Sequence, residues 1–155
     1  MPDYDQILAA HPFFKEFQPD YLHQVACLAT QVDYDRNRYI FHEGESAEQF
    51  YVITKGKVAL ETFSVEKKGS ISIETIEAGE VLGWSWLFAP YRWHFSARAL
   101  EKVQVIVLDG VSLRYMCEAD PAFGYILVKQ VAHIMMRRLQ TTRLQLLDVY
   151  RPDGG

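Results

Sequence analysis

The sequence predicts an α+β fold: an antiparallel sandwich or barrel of short strands set between helical ends. Three observations predict it. Apolar residues alternate with a period of two from about residue 31 to residue 110. Turn residues punctuate that stretch at short, regular intervals. On either side, residues 1–30 and 111–149 carry helical spacing and helical start signals instead. The chain has 155 residues, 49% of them hydrophobic and 23% charged, which suits one soluble globular domain with a full core.

The elements follow in order. Asp5-Gln-Ile-Leu-Ala-Ala reads as a short helix ended near Pro12, and Pro19 suits the first position of a second helix. Leu22, Val25, Ala26 and Leu28-Ala29 give that second helix an apolar face. Strands are expected at Tyr39–Phe41, Phe50–Ile53, Val58–Leu60, Ile71–Ile73, Phe95–Ala97 and Val103–Leu108. The turns between them hold Gly44, Gly56 and Gly79, positions that suit a backbone with positive φ. All three tryptophans, Trp84, Trp86 and Trp93, fall in one segment where a short helix is expected to interrupt the strands.

Asp120-Pro121 supplies an N-cap and a proline at the first helical position, and Arg151-Pro152 marks the end of the last helix. In heptads, Tyr125, Ala132, Leu139 and Leu146 take one core position, while Val128, Met135, Thr142 and Val149 take the other. A helix of about 28 residues extends roughly 40 Å, longer than a barrel of this size can cover. The exposed remainder needs another surface, most simply its own copy. Val128, Ala132, Met135, Leu139, Thr142 and Leu146 are therefore the expected interface of a parallel homodimer.

Composition excludes several classes. A net charge of −4 gives no general attraction for nucleic acid, and no apolar run approaches the length of a membrane span. The acidic start lacks the basic and apolar regions of a secretory signal, which points to the cytoplasm. Cys27 and Cys117 stand alone in apolar-patterned segments and read as reduced core thiols. The five histidines never fall within ten residues of one another, so no metal site is expected. No nucleophile motif, dinucleotide fingerprint or P-loop appears, and no catalytic residue is assigned.

The order of elements and three segments carry a family resemblance. Phe41-His-Glu-Gly-Glu-Ser-Ala-Glu-Gln-Phe-Tyr-Val-Ile-Thr-Lys-Gly-Lys-Val58, Glu77-Ala-Gly-Glu-Val-Leu-Gly83 and Arg137-Arg-Leu-Gln-Thr-Thr142 stand in sequence at matching separations. Together they resemble cyclic-nucleotide-binding domains of the bacterial cyclic-AMP receptor type, over essentially the whole chain. The resemblance implies an antiparallel β-roll, or jelly roll, flanked by N-terminal helices and a long C-terminal helix. It also implies a phosphate-binding cassette at 79–99.

In that family a glycine opens a helix whose amides face the phosphate. A glutamate next to it accepts the ribose 2′-hydroxyl, and an arginine about ten residues on pairs with the phosphate. Gly83 matches the glycine, and Ser85 lies two residues beyond it. Trp84 stands where the glutamate belongs, and Trp93 where the arginine belongs, with Arg92 one residue earlier. His94 takes the place of a small hydroxyl residue, Thr142 matches an adenine-contacting threonine, and Arg143 replaces a serine. The register decides whether Arg92 or Trp93 faces the pocket.

Three readings of the tryptophans follow. They fill the vacated pocket; or Gly83, Arg92 and His94 still hold a planar anion against indole, capped near Thr142; or cyclic AMP binds in its usual pose. No cofactor is expected beyond such a cyclic nucleotide or other planar anionic ligand. The family's regulators continue from the long helix into a DNA-binding domain, whereas this sequence ends at Gly155, so direct DNA binding is not expected. Arg137, Arg138 and Arg143 read as solvated or interhelical rather than as phosphate contacts, and a protein partner is the alternative to a small ligand.

Overall fold

The computed structural model describes residues 2–149. Arg151-Pro152, the expected end of the last helix, lies outside the described residues. The architecture is the α+β roll that the alternating pattern implies. Helix α1 (Tyr4–Ala10), a 3₁₀ turn (Pro12–Phe14) and α2 (Pro19–Ala26) precede eight strands. The strands are β1 (Ala29–Tyr34), β2 (Tyr39–Phe41), β3 (Gln49–Lys55), β4 (Lys57–Ser64), β5 (Gly69–Glu77), β6 (Val81–Leu82), β7 (Ser96–Ala99) and β8 (Val103–Asp109). Helices α3 (Gly110–Ala119) and α4 (Pro121–Val149) close the chain.

Two antiparallel four-stranded sheets, ordered β1-β8-β3-β6 and β2-β7-β4-β5, form the roll. In β3, Phe50, Tyr51, Val52 and Ile53 are all buried, because both faces of that strand are covered. Phe50 packs on Phe13 and Trp86, toward the helices, whereas Tyr51 points the other way onto Phe41 and Trp93. The aromatic set Phe13, Phe14, Phe17, Phe50 and Phe123 joins the helical ends to the roll in mostly edge-on contacts.

Buried His11 fixes the 3₁₀ turn to the sheet. Its Nε2 donates to the Ile53 carbonyl at 3.2 Å, and its Nδ1 accepts from the Phe13 amide. That tautomer is neutral, and burial lowers the pKa of the ring accordingly.

Helix ends are fixed by carboxylates. Asp109 accepts from the Val111 and Ser112 amides to start α3, and Asp120 accepts from Ala122 and Phe123 to start α4. Phe123, Leu127 and Val131 bury one stripe of α4, with Ile134 and Arg138 half-buried behind them. The opposite stripe, Tyr125, Val128, Ala132, Met135, Leu139 and Leu146, is exposed, and every residue from Leu139 to Asp148 is exposed on all sides. Among the described residues no helix is long and apolar enough to cross a membrane.

Three expectations need correction. Leu28-Ala29 do not extend α2: the helix stops at Ala26, and Ala29–Tyr34 pair with β8 from Ala29 opposite Leu108 to Tyr34 opposite Val103. A full strand partner outweighs the helical reading of two apolar residues. The tryptophan segment is not a helix but a set of tight turns, in which the Leu87 amide bonds the Trp84 carbonyl and Tyr91 bonds Phe88. Cys27 is exposed and Cys117 only partly buried, because Cys27 caps α2 beyond its apolar stripe. Burial pushes the Cys117 thiol up to about 11.

Candidate functional site

The cassette runs from the end of β5 through β6 to β7. Gly79 and Gly83 both take positive φ, at 92° and 76°. Gly83 is required for a second reason: a Cβ there would overlap the six-membered ring of Trp93. Trp93 is only 3% exposed and lies flat on Phe41, with ring centroids 3.8 Å apart and planes 10° from parallel. The indole therefore occupies the space directly in front of the glycine that opens the cassette.

The returning limb of the cassette is tied to the Glu43–Ala47 turn. Gly44 donates to the Trp93 carbonyl at 2.8 Å, Trp93 donates to Glu45 at 3.0 Å, and Ala47 donates to Tyr91 at 2.7 Å. This extended pairing sends successive side chains to opposite sides. Trp93 goes inward, and Arg92 goes outward, where its guanidinium donates to the Gly44 carbonyl at 2.9 Å. His94 is exposed.

The other two tryptophans have separate environments. Trp86 is fully buried, donates from Nε1 to the Gly83 carbonyl at 3.1 Å, and packs on Phe50 at 5.2 Å. Arg114 of α3 donates to the Trp86 carbonyl and lies 3.8 Å above the Tyr91 ring, bracing the turn from outside. Trp84 is half-buried at the rim, and Ser85 beside it is buried. The Arg138 guanidinium stacks 4.8 Å above the Trp84 ring. Arg138 also donates to the Val81 carbonyl at 3.1 Å and approaches Glu74 at 3.9 Å. Burial lowers its pKa, against the opposing pull of Glu74 and Glu80.

Farther along, Arg98 is committed to the sheet. Its Nε and Nη2 both donate to one oxygen of Glu61, at 3.0 and 2.8 Å, while Tyr39 donates to the other and Asn37 accepts from Nη1. The Arg98 fork holds the Glu61 carboxyl below the usual carboxylate range.

Of the residues singled out in the sequence, Gly83 and Trp93 are in contact, with Ser85 buried and Trp84 at the rim close by. Arg92 and His94 face outward. Thr142 and Arg143 lie on the exposed end of α4, where the Thr142 hydroxyl donates back to the Arg138 carbonyl at 2.9 Å. Sequence reasoning missed Arg138 as a partner of Trp84. The signal was present: Leu127, Val131, Ile134 and Arg138 follow at spacings of four, three and four, which puts the arginine on the core-facing stripe.

An antiparallel eight-stranded roll, a glycine-opened cassette between β6 and β7, and a long terminal helix clasping that cassette define a ligand-sensing type of domain. The chain belongs to the cyclic nucleotide-binding domain family, whose model matches residues 31–120. A CRP-like cAMP-activated global transcriptional regulator of Mycobacterium tuberculosis is 24% identical over 149 residues, covering 96% of this chain. The chain spans 64% of the length of that regulator. A candidate cyclic nucleotide-binding protein of Geobacter metallireducens is similar in structure, with a TM-score of 0.79, 27% identity and coverage of 90% of this chain and 99% of that one. The N-terminal domain of a Streptomyces coelicolor transcriptional regulator is 26% identical with a TM-score of 0.67, covering 96% and 99% of the two chains.

Proposed function

We propose that this chain is a non-catalytic regulatory module of the cyclic-nucleotide-binding type whose response to cyclic AMP in the usual pose is weakened or replaced. One observation carries the reading: the Trp93 indole fills the space in front of Gly83, where the resemblance places the phosphate. Trp84 offers no acceptor for a ribose hydroxyl, and Arg92 is turned away onto Gly44. Each lost charge-assisted contact costs about 1.5–3 kcal/mol, tenfold or more in affinity. Gly83, Ser85 and Trp93 then belong to the packed interior, with Trp84 at its rim. Arg92, His94, Thr142 and Arg143 are exposed and take no part in that interior.

Isothermal titration with cyclic AMP, cyclic GMP and cyclic dinucleotides checks this. The expected result is no saturation by cyclic AMP at micromolar concentrations, and a stronger response in Trp93→Leu, which vacates the space. Sub-micromolar binding of cyclic AMP by the unaltered protein would overturn the reading.

The same reading includes a parallel homodimer through α4. Its support is the exposed apolar stripe, with Tyr125 at 67%, Leu139 at 70% and Leu146 at 54% exposure on a helix that has already buried its other face. Sedimentation velocity is expected to show a dimer that Leu139→Asp converts to folded monomer. A monomeric unaltered protein at tens of micromolar removes this part of the reading.

A further inference from the structure

A cleft of about 540 Å³ lies outside the roll, between the 3₁₀ turn, the Gly79-Glu80 turn and the flank of α4. That volume is within the range of small-molecule sites, roughly 300–1,000 Å³. Its apolar lining comes from Pro12, Phe13, Val81, Ile134 and Met136. Its charged lining is unbalanced: Lys15, Lys129, Arg137 and Arg138 face only Glu16 and Glu80, in a chain whose net charge is −4. Glu80 already accepts a hydrogen bond from the Glu77 amide, and Arg138 is engaged with Val81 and Glu74. The four ion pairs among the described residues involve none of Lys15, Lys129 and Arg137. Three exposed cations thus surround an apolar floor, an arrangement that suits a ligand with one charged end and one apolar end.

We propose that this cleft binds a small amphipathic anion, a carboxylate or phosphate ester with an aliphatic or aromatic body. The anionic group meets Lys15, Lys129 and Arg137, and the body lies on Phe13, Ile134 and Met136. The site is separate from the space in front of Gly83 and does not depend on what Trp93 excludes. It does border the cassette: Gly79, Glu80 and Val81 of its first limb line the cleft, and so does Arg138, which also covers Trp84. Occupancy therefore reaches the rim of the cassette through Arg138, and Trp84 is its natural reporter.

The test is titration of the full chain with octanoate and with phenyl phosphate, followed by calorimetry and tryptophan emission. Inorganic phosphate and octanol serve as the charged and apolar halves alone. Saturable binding of at least one amphiphile is expected, weakened about tenfold or more in Lys129→Ala/Arg137→Ala. The charge-matched variant Lys67→Ala/Lys68→Ala, at the β4–β5 hairpin tip, should bind as the unaltered protein does. Octanoate or phenyl phosphate binding alone distinguishes a carboxylate site from a phosphate site. Three results overturn the proposal: neither amphiphile binds, binding survives loss of Lys129 and Arg137, or inorganic phosphate binds as tightly as phenyl phosphate.

Discussion

Trp93 and Trp84 stand nine positions apart in one segment and show two different uses of the same side chain. Trp93 is packed on all sides, flat on Phe41, near Tyr51 and against the bare Cα of Gly83. Its surroundings are aromatic or glycine, and its segment is held by main-chain bonds to residues 44–47. Trp84 is partly open to solvent at the edge of the core, and its outer face is covered by a cation from another element, Arg138 of α4. The first indole belongs to the core. The second couples the cassette to the helix that carries the exposed seam. A conformational response in this domain is therefore to be sought at the rim and along α4, where few contacts must change, rather than inside the roll.

The largest expected effects break the inner half of that comparison. Trp93→Ala removes a buried indole from a packed interior and should destabilise the fold by about 3–5 kcal/mol, measured by urea unfolding. A loss below about 1 kcal/mol would mean that the roll collapses around the gap and that Trp93 is not its core. Gly83→Ala comes next. It forces a residue with a Cβ into positive φ and drives that Cβ into the Trp93 ring, so a cost of about 1–3 kcal/mol is expected. The two lesions share one contact and should not add: in Trp93→Ala, the further cost of Gly83→Ala should shrink to its backbone component.

The difference between the two tryptophans was only partly legible in the sequence. The apolar run Phe50-Tyr51-Val52-Ile53 and the turns at Gly44, Gly56 and Gly79 identify strands and the reversals between them, because their causes are local. The cassette's glycine is legible for the same reason. Which way Arg92 and Trp93 point is not, since adjacent residues swap faces with a one-residue shift of register. The Gly44, Glu45 and Ala47 main chain, distant in sequence, sets that register. Arg138 was obscured differently: its charge suggested solvent, while its spacing from Leu127, Val131 and Ile134 placed it on the buried stripe. β1 was not among the expected strands, since Leu28-Ala29 continue a helical pattern that only pairing with β8 interrupts.

The smaller effects sharpen the outer half. Arg138→Ala leaves the carbonyl of buried Val81 without its side-chain donor and uncovers Trp84, and should cost about 1–3 kcal/mol. Arg138→Lys keeps the charge but loses the planar stack and the fork, so it should recover only part of that loss. The specific contribution of the stack is the coupling between Arg138→Ala and Trp84→Ala in a double-mutant cycle, expected at about 0.5–2 kcal/mol for a partly desolvated cation–π pair. Because the Arg138 side chain is only 14% exposed, this coupling should persist in 0.5 M salt, where an exposed ion pair would be screened. Additive costs would leave Arg138 as a ligand of the Val81 carbonyl alone, and the rim would then be as passive as the interior. A coupling that survives salt makes Trp84 the point at which movement of α4 is felt by the cassette.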